Sequence, residues 1–171
     1  RDLSAQLGYS PATVQRILKT LKSYGFVAQD EHTRSYRLGG IYYRFLHTLQ
    51  RALPITEAAL VQMQRLAEAT RETVHLNIID GDERLCIETV ESLQPLKASM
   101  PIGHRSPLYA GASAKCLLAF STDAFVDNYL SEITLEALTE NTITSRQQLL
   151  SELKTIRDQG YAISLGGRTP G

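Results

Sequence analysis

Apolar residues along positions 8–53 recur at helical spacing, interrupted by one short alternating stretch. Val14, Ile17, Leu18 and Leu21 fall at i, i+3, i+4 and i+7, which makes one core-facing stripe of a helix. Ser10 just before it can cap the first turn through its hydroxyl, and Pro11 falls at N1, where a missing N–H costs nothing. Leu3, Leu7 and Gly8 read as the end of a preceding helix with glycine at C′. Two helices therefore meet across Gly8-Tyr9-Ser10, the short-turn geometry of a helix-turn-helix. After Gly25, residues 26–30 and 35–38 read as two strands joined by the polar tip Glu31-His32-Thr33-Arg34, a hairpin or wing.

The pattern changes after Gly39-Gly40. A helix is expected over 41–53, with Ile41, Tyr42, Phe45, Leu46, Leu49 and Leu53 on one stripe and Gln50 on another face, ended by Pro54. That stripe suits packing on its own domain or packing on a partner subunit about equally. A second helix follows over 56–70, with Ala59, Leu60, Met63, Leu66 and Ala67 inward. Residues 72–80 alternate, turn at Gly81-Asp82-Glu83 and return over 84–91 as a partner strand. A third strand is expected at 96–100, then a loop at 101–108 and a small-residue segment at 109–120. Helices at 122–130 and 145–159 precede a last strand at 161–164. The class is α+β, antiparallel strands with helices laid on one face.

Charge separates the two halves. Residues 1–53 hold eight Lys/Arg against three Asp/Glu, whereas residues 54–171 hold ten against fifteen, within a chain of zero net charge. The exposed face of the 11–21 helix carries Ala12, Thr13, Gln15, Arg16, Lys19 and Thr20, followed by Lys22, and no carboxylate. A basic face alone is usually only a wet face. Preceded by a tight turn and followed by a hairpin, it is what the major groove of DNA selects. The candidate DNA contacts are Ser10, Ala12, Thr13, Gln15, Arg16, Lys19, Thr20, Lys22 and, on the wing, Arg34. Thr13, Gln15 and Arg16 are expected at base edges with Ala12 in van der Waals contact. Lys19, Lys22 and Arg34 are expected at phosphates.

Other chemistries find little support. No apolar run reaches membrane-spanning length and no secretory signal pattern is present, so a cytoplasmic location is expected. Cys86 and Cys116 read as free thiols, and His32, His47, His75 and His104 match no zinc-ligand spacing, so neither metal nor cofactor is expected. Ser113 and Lys115 are two apart, which is not the Ser-x-x-Lys spacing, and nothing assembles a nucleophile, base and orienter. An enzyme is not expected.

Residues 3–38 resemble the winged helix-turn-helix of the IclR-type (isocitrate-lyase regulator) bacterial transcription factors, and residues 55–171 resemble part of that family's GAF-like effector domain. The resemblance rests on the run from Ser10 to Leu18, Tyr36-Arg37-Leu38-Gly39, the run from Glu72 to Leu76, Pro107-Leu108-Tyr109-Ala110, the run from Ala114 to Ala119, and Gln159-Gly160-Tyr161-Ala162. Tyr109 stands where the family often has histidine and Ala114 where it often has glycine. The resemblance implies a DNA-binding domain over 1–38, a connecting helix over 39–53 and an effector-binding domain over 54–171. It also implies that both domains are truncated, lacking a helix before Arg1 and closing strands beyond the turn at 168–171.

Within that framework the small-residue segment lines a pocket for a small organic, carboxylic or aromatic, acid. Gly111, Ala112, Ser113 and Ala114 let backbone amides at a helix start approach an anion. Ser106 and Ser113 supply hydroxyls, Tyr109 a phenol, and Ala98 and Met100 an apolar wall. Close helix-on-sheet packing without a ligand explains the same small residues, and Lys115 reads as a solvated helix lysine. The expected partners are double-stranded operator DNA of pseudo-palindromic sequence, the effector, and further copies of the chain in a dimer or tetramer. The alternative is a constitutive DNA-binding or dimerisation protein that takes no ligand.

Overall fold

The computed structural model of the chain describes residues 2–169. Arg1, Pro170, Gly171 and the side chains of Asp2 and Gln50 lie outside that description, and with them part of the turn expected at 168–171. The chain divides into two compact units, with the division between Glu57 and Ala58.

The first unit begins with α1 (Asp2–Leu7), the turn at Gly8–Ser10, and α2 (Pro11–Ser23). Gly8 takes φ +68°, the left-handed conformation that lets α1 stop and the chain turn at once. The Thr13 amide donates to Ser10 Oγ at 3.2 Å, so Ser10 is the cap its position predicts. Val14 and Leu18 are buried. Strands β1 (Val27–Gln29) and β2 (Tyr36–Leu38) pair antiparallel, Val27 opposite Leu38 and Gln29 opposite Tyr36. Gly39 then lies so close to Gly25 that a Cβ would sit on the Gly25 carbonyl, which requires glycine there. The helix α3 (Ile41–Ala52) turns Tyr42 and Phe45 onto Phe26, with ring centroids 6.0 and 6.1 Å away. Phe45, Leu46 and Leu49 nevertheless keep about half their surface exposed in the single chain.

The division between the units falls within α4 (Ile55–Thr70). In the second unit β3 (Val74–Asp80) and β4 (Glu83–Val90) form an antiparallel hairpin, with a register shift between Leu76 and Asn77, and β5 (Arg105–Pro107) completes a sheet of order β3-β4-β5. The helices α5 (Ala112–Ala119), α6 (Asp123–Glu132) and α7 (Arg146–Gln159) build the core. Leu108, Leu118, Val126, Leu149, Leu153 and Ile156 are among its buried apolar members. Buried Tyr129 accepts a hydrogen bond from the Leu108 amide at 2.9 Å, and burial pushes its phenol up to about 12.

Three expectations need correction. Residues 96–100 form no strand, because the edge of β4 is taken from elsewhere. The Cys86 amide donates to the His104 carbonyl at 3.0 Å and the Gly103 amide to the Cys86 carbonyl at 2.8 Å. Consequently 101–108 is not wholly a loop, since β5 lies inside it. Residues 161–164 form no strand either: Tyr161 and Ile163 are exposed, and the Tyr161 carbonyl accepts from Gln159 Nε2 at 2.6 Å rather than from a ladder. The mixed α+β class stands.

Candidate DNA-binding and effector sites

On α2 the candidate DNA contacts lie along one open face. Ser10, Ala12, Gln15, Arg16, Lys19, Thr20 and Lys22 are exposed, while Thr13 is half-buried with its hydroxyl 3.0 Å from Ser10 Oγ. The Thr20 hydroxyl donates to the Arg16 carbonyl at 3.2 Å, a bond within the helix that leaves less of it for a ligand. Between α2 and the hairpin runs an open groove of about 410 Å³ lined by Gln15, Arg16, Leu18, Lys19, Lys22, Gln29 and Tyr36, with no carboxylate among them. Gln29 and Tyr36 were not anticipated. Their signal was register, since they are cross-strand neighbours on the hairpin that follows the helix.

Arg34 is exposed at the hairpin tip with φ +61°. Asp30 holds that tip, its Oδ1 accepting from the amides of Thr33 (2.7 Å) and His32 (2.9 Å). Hydrogen bonds from Thr33, then the His32 amide, hold the Asp30 carboxyl below its ordinary value.

The expected effector residues separate into groups. Tyr109 is buried, and its hydroxyl donates to the Glu136 carbonyl at 3.1 Å. It borders a small cleft of about 100 Å³ with Gly111, Lys115, Ile163 and Leu165 among its walls. Ala112 is half-buried and Ser113 exposed on the first turn of α5, and Ala98 is exposed on the irregular segment after β4. Ser106 and Met100 meet instead at Arg84, which sequence reasoning missed. Arg84 Nε donates to Ser106 Oγ at 2.8 Å, and Nη1 approaches Met100 Sδ at 2.8 Å and Asn77 Oδ1 at 3.0 Å. The usable signal was an arginine on the strand face of buried Cys86, in a strand whose sides alternate.

Lys115 is a correction. It is buried, and its Nζ lies 2.5 Å from Glu152 Oε1, because α5 packs directly against α7 and turns this side chain to it. A second, larger groove of about 540 Å³ lies between α4 and the end of β4, bordered by Gln64, Arg71, Glu91 and Leu93 among others. None of the expected effector residues lines it. Both cysteines are free thiols, and among the described residues no cluster of His, Cys, Asp and Glu is arranged to hold a metal. No helix of the described residues is long and apolar enough to cross a membrane.

The model of the bacterial transcriptional regulator IclR C-terminal domain matches residues 47–171, and that of the IclR helix-turn-helix domain matches residues 1–31. The chain belongs to the IclR family. Among IclR-family relatives, it is 34% identical over 170 residues to the HTH-type transcriptional regulator BhcR of Paracoccus denitrificans, covering 99% of this chain and 61% of BhcR. The crystal structure of Thermotoga maritima IclR superposes with a TM-score of 0.83 at 28% identity, over 98% of this chain and 68% of that one. An IclR homolog from Microbacterium hydrocarbonoxydans, solved as a complex with 4-hydroxybenzoate, gives a TM-score of 0.80 over 98% of this chain and 69% of that one. At 21% identity, that likeness speaks for the fold alone. The chain thus spans about three-fifths of BhcR's length. BhcR is named as a transcriptional regulator, and both matched models describe domains of regulators rather than of enzymes.

Proposed function

We propose that this chain is the DNA-binding and effector-sensing part of a ligand-responsive transcriptional regulator acting in the bacterial cytoplasm. The observation that carries the reading is the exposed cationic face of α2, which continues into a groove against the hairpin with no carboxylate on its walls. Arg16, Gln15 and Thr13 address base edges, Ala12 makes apolar contact, Ser10 and Thr20 bound the face, and Lys19, Lys22 and Arg34 meet phosphates. The domain limits of this reading are 1–38 for DNA binding, 39–53 for the connecting helix and 54–171 for the effector.

One winged module reads only a few base pairs, so useful specificity calls for a dimer or tetramer on a pseudo-palindromic operator. The half-exposed stripe of Phe45, Leu46 and Leu49 supports such self-association through α3. The effector is a small carboxylic or aromatic acid in the second unit. Its binding changes operator affinity only by as much as it prefers one arrangement of the DNA domains. Titration of the whole protein with operator DNA tests this, with and without carboxylic acids, in wild type and Ala112→Phe. The expected outcome is an acid that shifts operator affinity in the wild type and not in the variant. Equal responses in both place the pocket away from α5, and no response to any acid defeats the effector reading.

A further inference from the structure

Arg84 is the second unit's most unusual charge. Only 2% of its surface is exposed, on the central strand of the sheet, with Ser106 directly opposite on β5. Removing a guanidinium from water costs several kcal/mol unless a counter-charge restores the loss. Its partners are instead all neutral: a hydroxyl, an amide oxygen, a thioether and, 3.1 Å from Nη2, the His104 Nδ1. Among the described residues no carboxylate pairs with it.

A second cation, Arg168, is near enough for its charge to act on Arg84. Arg168 packs on Gly111, where a methyl group would meet its Cβ and Cδ at 3.7 Å, and no described carboxylate pairs with it either. Burial and then the Arg168 charge pull the Arg84 guanidinium below its ordinary value. Burial, Arg168 and Arg84, in that order, do the same to His104. Arg84 and His104 at the sheet and Arg168 on Gly111 thus feel one another's charge, and no described carboxylate pairs with any of them, in a unit whose total charge is negative.

We infer that Arg84, with Arg168 and His104, is the receptor for the carboxylate of a small organic acid. This rests on the reading of the second unit as the effector-binding domain, and it adds the residues that would meet the acid. The carboxylate replaces Met100 Sδ at Nη1, because a thioether is the weakest acceptor of the four and a carboxylate oxygen the strongest. Met100 is half-buried on the irregular segment that leads into β5, outside any strand, whereas Asn77 and Ser106 are held in β3 and β5. Ser106 and Asn77 keep their bonds and hold the guanidinium plane, which leaves its fork presented to two oxygens. Arg168 neutralises what charge remains.

The test is a binding series on the full-length protein with acetate, pyruvate, succinate and benzoate, each beside its neutral amide at matched ionic strength, read by melting temperature and titration calorimetry. At least one acid is expected to bind and raise the melting temperature while its amide does not. Arg84→Met is expected to weaken that acid roughly thirtyfold or more, as loss of a hydrogen-bonded charge pair does. Arg84→Lys recovers only part, having the charge without the fork. Arg168→Gln, at a half-buried position, is expected to weaken the same acid and takes the place of Arg84→Met if that variant does not fold. If no acid binds, or if one binds the folded variants as well as it binds wild type, the inference is wrong. Operator titrations keep the two readings apart. A small molecule that shifts operator affinity equally in wild type and Arg168→Gln sinks the carboxylate receptor and leaves the regulator intact. An acid that binds through these arginines without moving operator affinity does the reverse.

Discussion

The first unit keeps the cations of α2 in water, whereas the second buries two of its own. On α2, Arg16, Lys19 and Lys22 stand in water and cost folding almost nothing, so their charge is free for a phosphate or a base edge. On α5 and β4, Lys115 and Arg84 are out of water, and the fold must supply what hydration no longer does. For Lys115 it supplies the Glu152 carboxylate; for Arg84 it supplies only dipoles. An exposed cation that no carboxylate of the chain answers is therefore free for a partner outside it, unlike exposed Arg105 or Lys154, which pair within the chain. A buried one reports first on the chain's own packing, and on a missing anion only where no carboxylate answers it.

The sharpest way to break this contrast is Lys115→Ala. It strands Glu152 beside α5, and a loss of about 2 kcal/mol in unfolding free energy is expected. That is less than a fully buried pair would lose, because Glu152 remains a third exposed. Lys115→Met, which keeps the volume, should lose less. Urea denaturation measures both. If Lys115→Ala unfolds like wild type, the pair is a surface contact and the division between the two kinds of cation fails at this residue.

How much of this could be read from the chain follows the same division. The first unit was legible because each of its signals is local: Ser10 before Pro11, Gly8 after Leu7, a stripe at helical spacing, and a basic face open to water. The hairpin β3–β4 was legible through alternation and the turn at Gly81. What was lost depends on which distant segment wins a shared edge. Residues 96–100 had the composition of a strand, but residues 103–107 took the edge of β4. Lys115 looked solvated because nothing within its own helix shows that α7, some 35 residues on, lies across it. The expected pocket mixed Ser106 and Met100, which meet at Arg84, with Tyr109, whose hydroxyl is taken by a backbone carbonyl. Spacing along the chain does not tell those two surroundings apart.

An effect of similar size should appear on the exposed side, in binding rather than in folding. Arg16→Ala is expected to leave the melting temperature of the whole protein unchanged. It should cost roughly 1–3 kcal/mol in operator binding and relax preference at one base position if the guanidinium reads a guanine edge. Lys19→Ala should weaken operator and random DNA alike and reduce the salt dependence by about one unit. Competition titrations at several salt concentrations separate the two. If Arg16→Ala weakens both DNAs equally, Arg16 belongs with Lys19 among the phosphate contacts, and the assignment of base edges on α2 moves to Gln15 and Thr13.

The smallest effect is on pH, and it tells the units apart without mutation. In the second unit, burial first and the arginine charges next hold His104 and His75 below their ordinary 6.5, with Glu91 partly opposing this at His75. Above 6.5 these rings are neutral whether the chain is folded or not. As pH falls below 6.5 the unfolded chain takes up protons that the folded one resists, so stability is full above that value and declines below it. In the first unit the lowered group is Asp30, whose ionised form is favoured in the folded hairpin. Its contribution is therefore intact above 3.8 and is lost only as pH falls further. Amide exchange along a descending pH series should accordingly show β3, β4 and β5 beginning to lose protection once pH falls below 6.5, while the tip at Asp30–Arg34 holds until pH falls below 3.8. Bound carboxylate should oppose the first of these losses, since an anion at Arg84 and Arg168 eases the charging of His104. A hairpin that loosens before the sheet would mean that the buried cations of the second unit are better compensated than their neutral partners indicate.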